Sequence, residues 1–148
     1  MALSSTVPAV KAALVSLVTT GIGDSTVQVS YGRPADSMLA RDCVWMGRVT
    51  GSDRVPVMSA GRKVREQEYS VQVIVWVAKP RGTVQEAEAR AHVLAAEIND
   101  ALADDPSLGG VDGLIHATAG SWEVEADQAL EGPFCLITFD VDCLARLD

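Results

Sequence analysis

The chain has 148 residues, of which 48% are hydrophobic and 22% charged. That composition belongs to a folded domain, not a disordered segment, and at this length one core hides roughly 70% of the unfolded surface. Twelve Lys and Arg against twenty Asp and Glu leave a net charge of −8, which argues against an open nucleic-acid-binding face and against docking on anionic lipid.

The first element is a helix from Val7 to Thr19. Thr6 is placed to cap it, Pro8 suits its first turn, and Gly21 is expected to stop it. Val10, Leu14, Leu17 and Val18 share one face. Ala12–Val18 after Lys11 faintly mimics a signal peptide, but it is too short to span a membrane and no small-x-small cleavage site follows. A short strand, Thr26–Tyr31, ends at Gly32-Arg33-Pro34. After a loop through Arg41, Cys43–Val49 reads as a second strand. Thr50–Lys63 reads as a connecting segment of 14 residues, long for a hairpin turn, and long loops tend to carry function or disorder.

Val64–Ala78 is the clearest strand. Tyr69, Val71, Val73, Val75 and Val77 point toward a core. Glu66, Glu68, Ser70 and Gln72 point away, and that same face turns apolar at Ile74 and Trp76. Fifteen extended residues reach about 50 Å, whereas a domain of this size is about 30–35 Å across. The strand must therefore bulge, bend or project. Thr83 and Glu86 form a capping box for a helix over Val84–Asp104. Val84, Ala87, Ala91, Leu94, Ile98 and Leu102 make its apolar stripe, opposite Glu86, Arg90, Glu97 and Asp100. Pro106 and Gly109-Gly110 end it. Two strands close the chain, Leu114–Val124 and Phe134–Arg146, joined by a turn around Glu131-Gly132-Pro133. The order α-β-β-β-α-β-β predicts an α+β two-layer sandwich, a mainly antiparallel sheet of four to five strands with two helices on one face.

The three cysteines are Cys43, Cys135 and Cys143. The last two fall about 26 Å apart along one strand, too far for a disulfide, which needs Cα atoms about 6 Å apart. Cys43 can pair with only one of them, and the expectation is three buried, reduced thiols. No zinc spacing is present. Gly21-Ile22-Gly23 follows a helix instead of a strand, which fails the context of a dinucleotide loop. The two histidines, His92 and His116, are tied to no nucleophile motif. Glu123, Glu125, Asp127, Asp140 and Asp142 crowd the last hairpin. They can form a solvated face, hold a hard cation such as Mg²⁺ or Ca²⁺, or line a space from which DNA is repelled. Trp45, Trp76 and Trp122 read as packing residues. Trp76 and Val93 nevertheless sit on faces that should be wet, which marks them, with Ile74 beside Trp76, as candidate contacts to another chain.

Several stretches carry a resemblance. They are Pro8–Leu14 (PAVKAAL), Val29–Pro34 (VSYGRP), Glu66–Val77 (EQEYSVQVIVWV) and Ala103–Gly110 (ADDPSLGG), in an order that covers nearly the whole chain, with 111–133 matching least. In these the chain resembles the tail terminator, or tail completion, proteins of long-tailed bacteriophages, particularly those of actinobacteria. The resemblance implies one domain over 1–148 with a projecting loop or hairpin around 50–63. It implies a structural protein of the virion neck, assembled in the host cytoplasm. Such proteins form a ring, usually a homohexamer, that caps the tail tube, stops its polymerisation and joins it to the head-side connector, leaving a channel for DNA. No enzyme activity, cofactor, metal or membrane is implied. Within that picture Ile74, Trp76 and Val93 are expected at the subunit interface. Arg54, Val57, Met58, Arg62 and Lys63 are expected to contact tube or connector, and Asp140 and Asp142 to line the channel. The contrasting reading is a small-molecule-binding or hydrolytic α+β domain using His92, His116 and the hairpin carboxylates.

Overall fold

The computed structural model describes residues 5–35, 42–55 and 64–147. Its elements are α1 (Val7–Ile22), β1 (Gln28–Ser30), β2 (Asp42–Arg54), β3 (Arg65–Ala78), α2 (Val84–Asp104), β4 (Leu114–Ala129) and β5 (Gly132–Leu147). The strands form one sheet in the order β1-β2-β3-β5-β4. β1 runs parallel to β2, and the other neighbouring pairs are antiparallel. Both helices pack on one face of this sheet, giving the expected α+β sandwich with a mixed sheet.

α2 begins and ends where its sequence places it. Thr83 is extended, its Oγ1 accepts the Glu86 backbone N–H at 3.1 Å, and its hydroxyl donates to Glu86 Oε1 at 3.3 Å. Ala87, Ala91, Leu94, Ile98 and Leu102 are buried as the stripe requires.

α1 departs from expectation at both ends. Thr6 stands at the N-cap position but makes no capping bond. Its buried hydroxyl instead meets the Tyr69 hydroxyl at 2.6 Å and donates to Gln67 Oε1 at 3.2 Å, and its N–H donates to that same oxygen at 3.1 Å. The residue thus fastens the helix to β3. Gly21 does not stop the helix, which runs on to Ile22. Gly23, left-handed at φ 63°, ends it by donating its N–H to Thr19 O at 3.2 Å. Gly21 lies where α1 crosses α2. A Cβ there would sit 2.9 Å from Ala101 Cβ.

The sheet is longer than the sequence suggests. β2 continues to Arg54, so Thr50–Arg54 of the expected connecting segment pair with Ser70–Glu66. β3 neither bulges nor projects alone, because β5 flanks it residue for residue from Arg65↔Leu147 to Ala78↔Phe134. The irregularities fall in the neighbouring strands, between Met46 and Val49 in β2 and at Leu114/His116 and Ala119/Trp122 in β4. β4 runs on to Ala129, beyond the expected Val124, and turns into β5 through Leu130 and Glu131.

The core lies between helices and sheet. Val10, Leu14 and Val18 of α1 and Leu94 and Ile98 of α2 close on Val71, Val73, Val75, Val77 and Val141, all fully buried. Each such side chain contributes about 1.5–3 kcal/mol on leaving water. Cys43, Cys135 and Cys143 are buried, and none is in a disulfide among the described residues. Burial pushes the Cys135 thiol up to about 11 and the Cys143 thiol up to about 12, so neither is a ready nucleophile.

Candidate functional site

The face of the sheet away from the helices divides into two halves. Alternation puts Glu66, Glu68, Ser70, Gln72, Ile74 and Trp76 of β3 on it, and register extends it to β2, β5 and β4. One transverse row crosses all five strands as Ser30, Trp45, Ile74, Thr138 and Glu123. Toward the end of β3 this face is apolar. Trp76 stacks on Phe134 with ring centroids 5.2 Å apart. Arg33, Trp45, Ile74, Trp76, Leu136 and Thr138 enclose a groove of about 280 Å³, and the Arg33 guanidinium lies 6.0 Å from the Trp45 ring centroid.

Toward the start of β3 the face is polar. A wider trough of about 460 Å³ runs over Thr50, Ser52, Glu68, Ser70, Asp142 and His116. Ser70 Oγ donates to Asp142 Oδ1 at 2.5 Å. Asp142 leans over Gly120, where any side chain would collide with its carboxylate. Asp140 pairs in register with Gln72 on this same face, next along from Asp142 and Ser70. Beyond them Glu66 bridges three strands. Arg54 donates Nε and Nη2 to its Oε2 at 3.1 and 2.9 Å, and Arg146 Nη2 donates to its Oε1 at 3.0 Å. The Arg146 bond, then the Arg54 bond, holds the Glu66 carboxyl below its usual range.

The candidate residues are therefore dispersed. Ile74 and Trp76 line the apolar groove, whereas Val93 lies on α2 in the other layer, 48% exposed. Asp140 and Asp142 share the polar half of the outer face. Arg54 is engaged by Glu66 and Glu68 at the end of β2. Val57, Met58, Arg62 and Lys63 lie outside the described residues. His92 is on α2, with Nε2 3.9 Å from Glu88 Oε1, and His116 is on the outer sheet face. The two histidines thus belong to different layers. Ser70 gives its proton to Asp142, and among the described residues no side-chain hydrogen bond joins His116 to either of them. Among the described residues no group of three or more His, Cys, Asp or Glu is placed to hold a metal. No described helix is long and apolar enough to cross a membrane.

Trp122 is a correction. Reading it as packing fails, because the β4 irregularity turns it toward the helix layer at the sheet edge, where it is 72% exposed. With His92, Ala95, Asn99 and Phe139 it borders a cleft of about 200 Å³ between α2 and the edge of the sheet. The signal that could have marked it is Gly120-Ser121 just before it, which breaks the strand's alternation.

No protein-family model and no curated protein sequence matches the chain. A search of solved structures gives a clear likeness: a chain of the "Virion of native gene transfer agent (GTA) particle" aligns over 98% of this chain and 100% of its own length, with a TM-score of 0.58 and 15% identity. The fold is similar to that of a virion chain.

Proposed function

We propose that this protein is a non-enzymatic structural component of a phage-type virion neck, acting as a tail terminator. The observation that carries the reading is the likeness, over both full lengths, to a chain of a gene transfer agent virion. The ordered resemblance of PAVKAAL, VSYGRP, EQEYSVQVIVWV and ADDPSLGG to tail terminators supports the narrower role. In this reading the chain is a single domain, and copies close a ring, a homohexamer, on the end of the tail tube. The ring stops tube growth and receives the head-side connector.

The surfaces suit this task. A closed ring joins two unlike patches head to tail. Ile74 and Trp76 lie on one such patch and Val93 on another, in the opposite layer. Asp140 and Asp142 on the outer face would turn carboxylates toward passing DNA and repel its phosphates. The end of the β2–β3 hairpin, from Arg54 through the segment holding Val57, Met58, Arg62 and Lys63, is where tube or connector would be met.

The test is incubation with tail tubes of the particle that encodes the protein, followed by electron microscopy. An annulus at one tube end, and tube subunits that stop adding there, are expected. Tubes that keep growing with bare ends would overturn the reading.

A further inference from the structure

The charge of this molecule is polarised along its sheet. Eleven carboxylates and no lysine or arginine lie between Ala91 and Ala145, whereas residues 1–90 carry eleven basic and eight acidic side chains. The sheet order puts the acidic stretch on one side of the molecule, whereas the described charges on the other side are mixed, Lys11, Arg33, Arg48 and Arg54 beside Asp24, Asp42 and Asp53. β5 and β4, with the later turns of α2, form one flank, and β1 and β2 form the other. β4 is an edge strand of 16 residues carrying Glu123, Glu125 and Asp127 beside the exposed Trp122. At the opposite edge β1 pairs only with Cys43–Trp45 of β2, and among the described strands nothing pairs outside β2 from Met46 to Arg54. That edge carries Arg33, just after β1, and Arg48, in the β2 irregularity. Lys11 sits 4.4 Å over the exposed Tyr31 ring on the same side.

We infer that the acidic β4 edge of one copy pairs with the β1–β2 edge of the next, which carries the exposed Arg33 and Arg48, so that the sheet continues from subunit to subunit. The strand directions permit it. β2 is antiparallel to β3, β3 to β5 and β5 to β4, so β4 opposes β2. A neighbour facing the same way therefore presents β2 and β1 in the antiparallel sense that edge pairing favours. The register fits as well. Glu123 ends the row that begins at Ser30. With no offset between copies, Glu123 comes level with Ser30 and Trp122 with Tyr31, and Arg33 lies three residues further on, about 10 Å along the chain and within the combined reach of the two side chains. The occupant is a second copy because the two edges are complementary in charge, strand sense and exposed aromatic residues. This inference rests on the ring reading above, and it places the ring contact at the sheet edges in place of the Ile74/Trp76 and Val93 patches.

Two double variants test it, E123K/E125K and R33E/R48E, all four positions being exposed. Each variant places like charges across its own contact. Alone, each should associate at least about a hundredfold more weakly than the unaltered chain. Mixed in equal amounts, they should recover its association and give particles in which the two variants are equally represented, read by native mass spectrometry. Unaltered chains that form rings whose stability neither variant changes would overturn the edge contact and leave the ring reading standing. Charge-sensitive association that never closes into a ring would support the contact and overturn the ring reading. A chain that stays monomeric at every concentration would overturn the edge contact and leave the ring reading to the test with tail tubes. Circular dichroism of each variant, expected to match the unaltered chain, separates loss of contact from loss of fold.

Discussion

Glu66 shows how a carboxylate can sit on a sheet face with only 9% of its side chain exposed. Its register partners are Arg54 on β2 and Arg146 on β5, so the pairing of three strands delivers two guanidiniums to one carboxylate. Charge-assisted bonds of this kind are stronger than neutral ones, and they favour the ionised form. Glu66 therefore ionises more easily in the folded chain than in the unfolded chain, where its value is the ordinary 4.5. A carboxylate lowered on folding adds stability that is fully present above the unfolded value and is lost as pH falls through the folded one. E66Q should lower the urea midpoint at pH 7, and the gap between variant and unaltered chain should narrow steadily below pH 4.5. Midpoints at pH 7, 5, 4 and 3 read this directly. A gap of constant size at all four values would show that the bridge does not titrate with Glu66.

At the scale of elements, the contact of α1 with α2 turns on one missing methyl. A Cβ on Gly21 would stand 2.9 Å from Ala101 Cβ, closer than carbon atoms pack, and neither atom ends a flexible side chain. Overpacking of this sort costs about 1–3 kcal/mol, against the roughly 1 kcal/mol that alanine gains over glycine inside a helix. G21A should destabilise the native chain. In an A101G background, where the opposing methyl is gone, the same change should stabilise by about 1 kcal/mol. Denaturation of the four chains of that cycle checks the sign reversal. The position also marks where sequence reading ended. α2 was legible because its capping box and stripe are local signals, and the faces of β3 were legible because alternation fixes them. Gly21 was misread as a stop because its reason is Ala101, eighty residues along the chain. Thr6 was misread as a cap because Gln67 and Tyr69 take its hydroxyl. β2 was cut short because Gly51, Ser52 and Asp53 look like turn residues, and only pairing with β3 holds them extended. The candidate site was less legible than the fold. Alternation placed Trp76 on the outer face, but the irregularity that exposes Trp122 has only a weak sequence signal.

For the whole molecule, a net charge of −8 hid the more useful fact that the acidic excess lies on one flank, which only the strand order discloses. Two forces can then hold copies together, and they respond oppositely to salt. Contact between the β4 edge and the β1–β2 edge is chiefly electrostatic. Raising NaCl from 0.1 to 1 M shortens the screening length from about 10 Å to about 3 Å, so this contact should weaken by about tenfold or more. Association through the apolar groove around Trp76 would persist in NaCl and strengthen in sulfate, which drives apolar burial. Trp122 adds a second discriminator. At 72% exposed it has little to lose on truncation, so W122S should shift folding stability by no more than about 0.5 kcal/mol. It should nonetheless weaken association by about tenfold, as a large aromatic at an interface does when removed. Sedimentation of the unaltered chain and W122S across that NaCl range measures both effects. Association that ignores NaCl and survives W122S would move the subunit contact from the sheet edges to the groove.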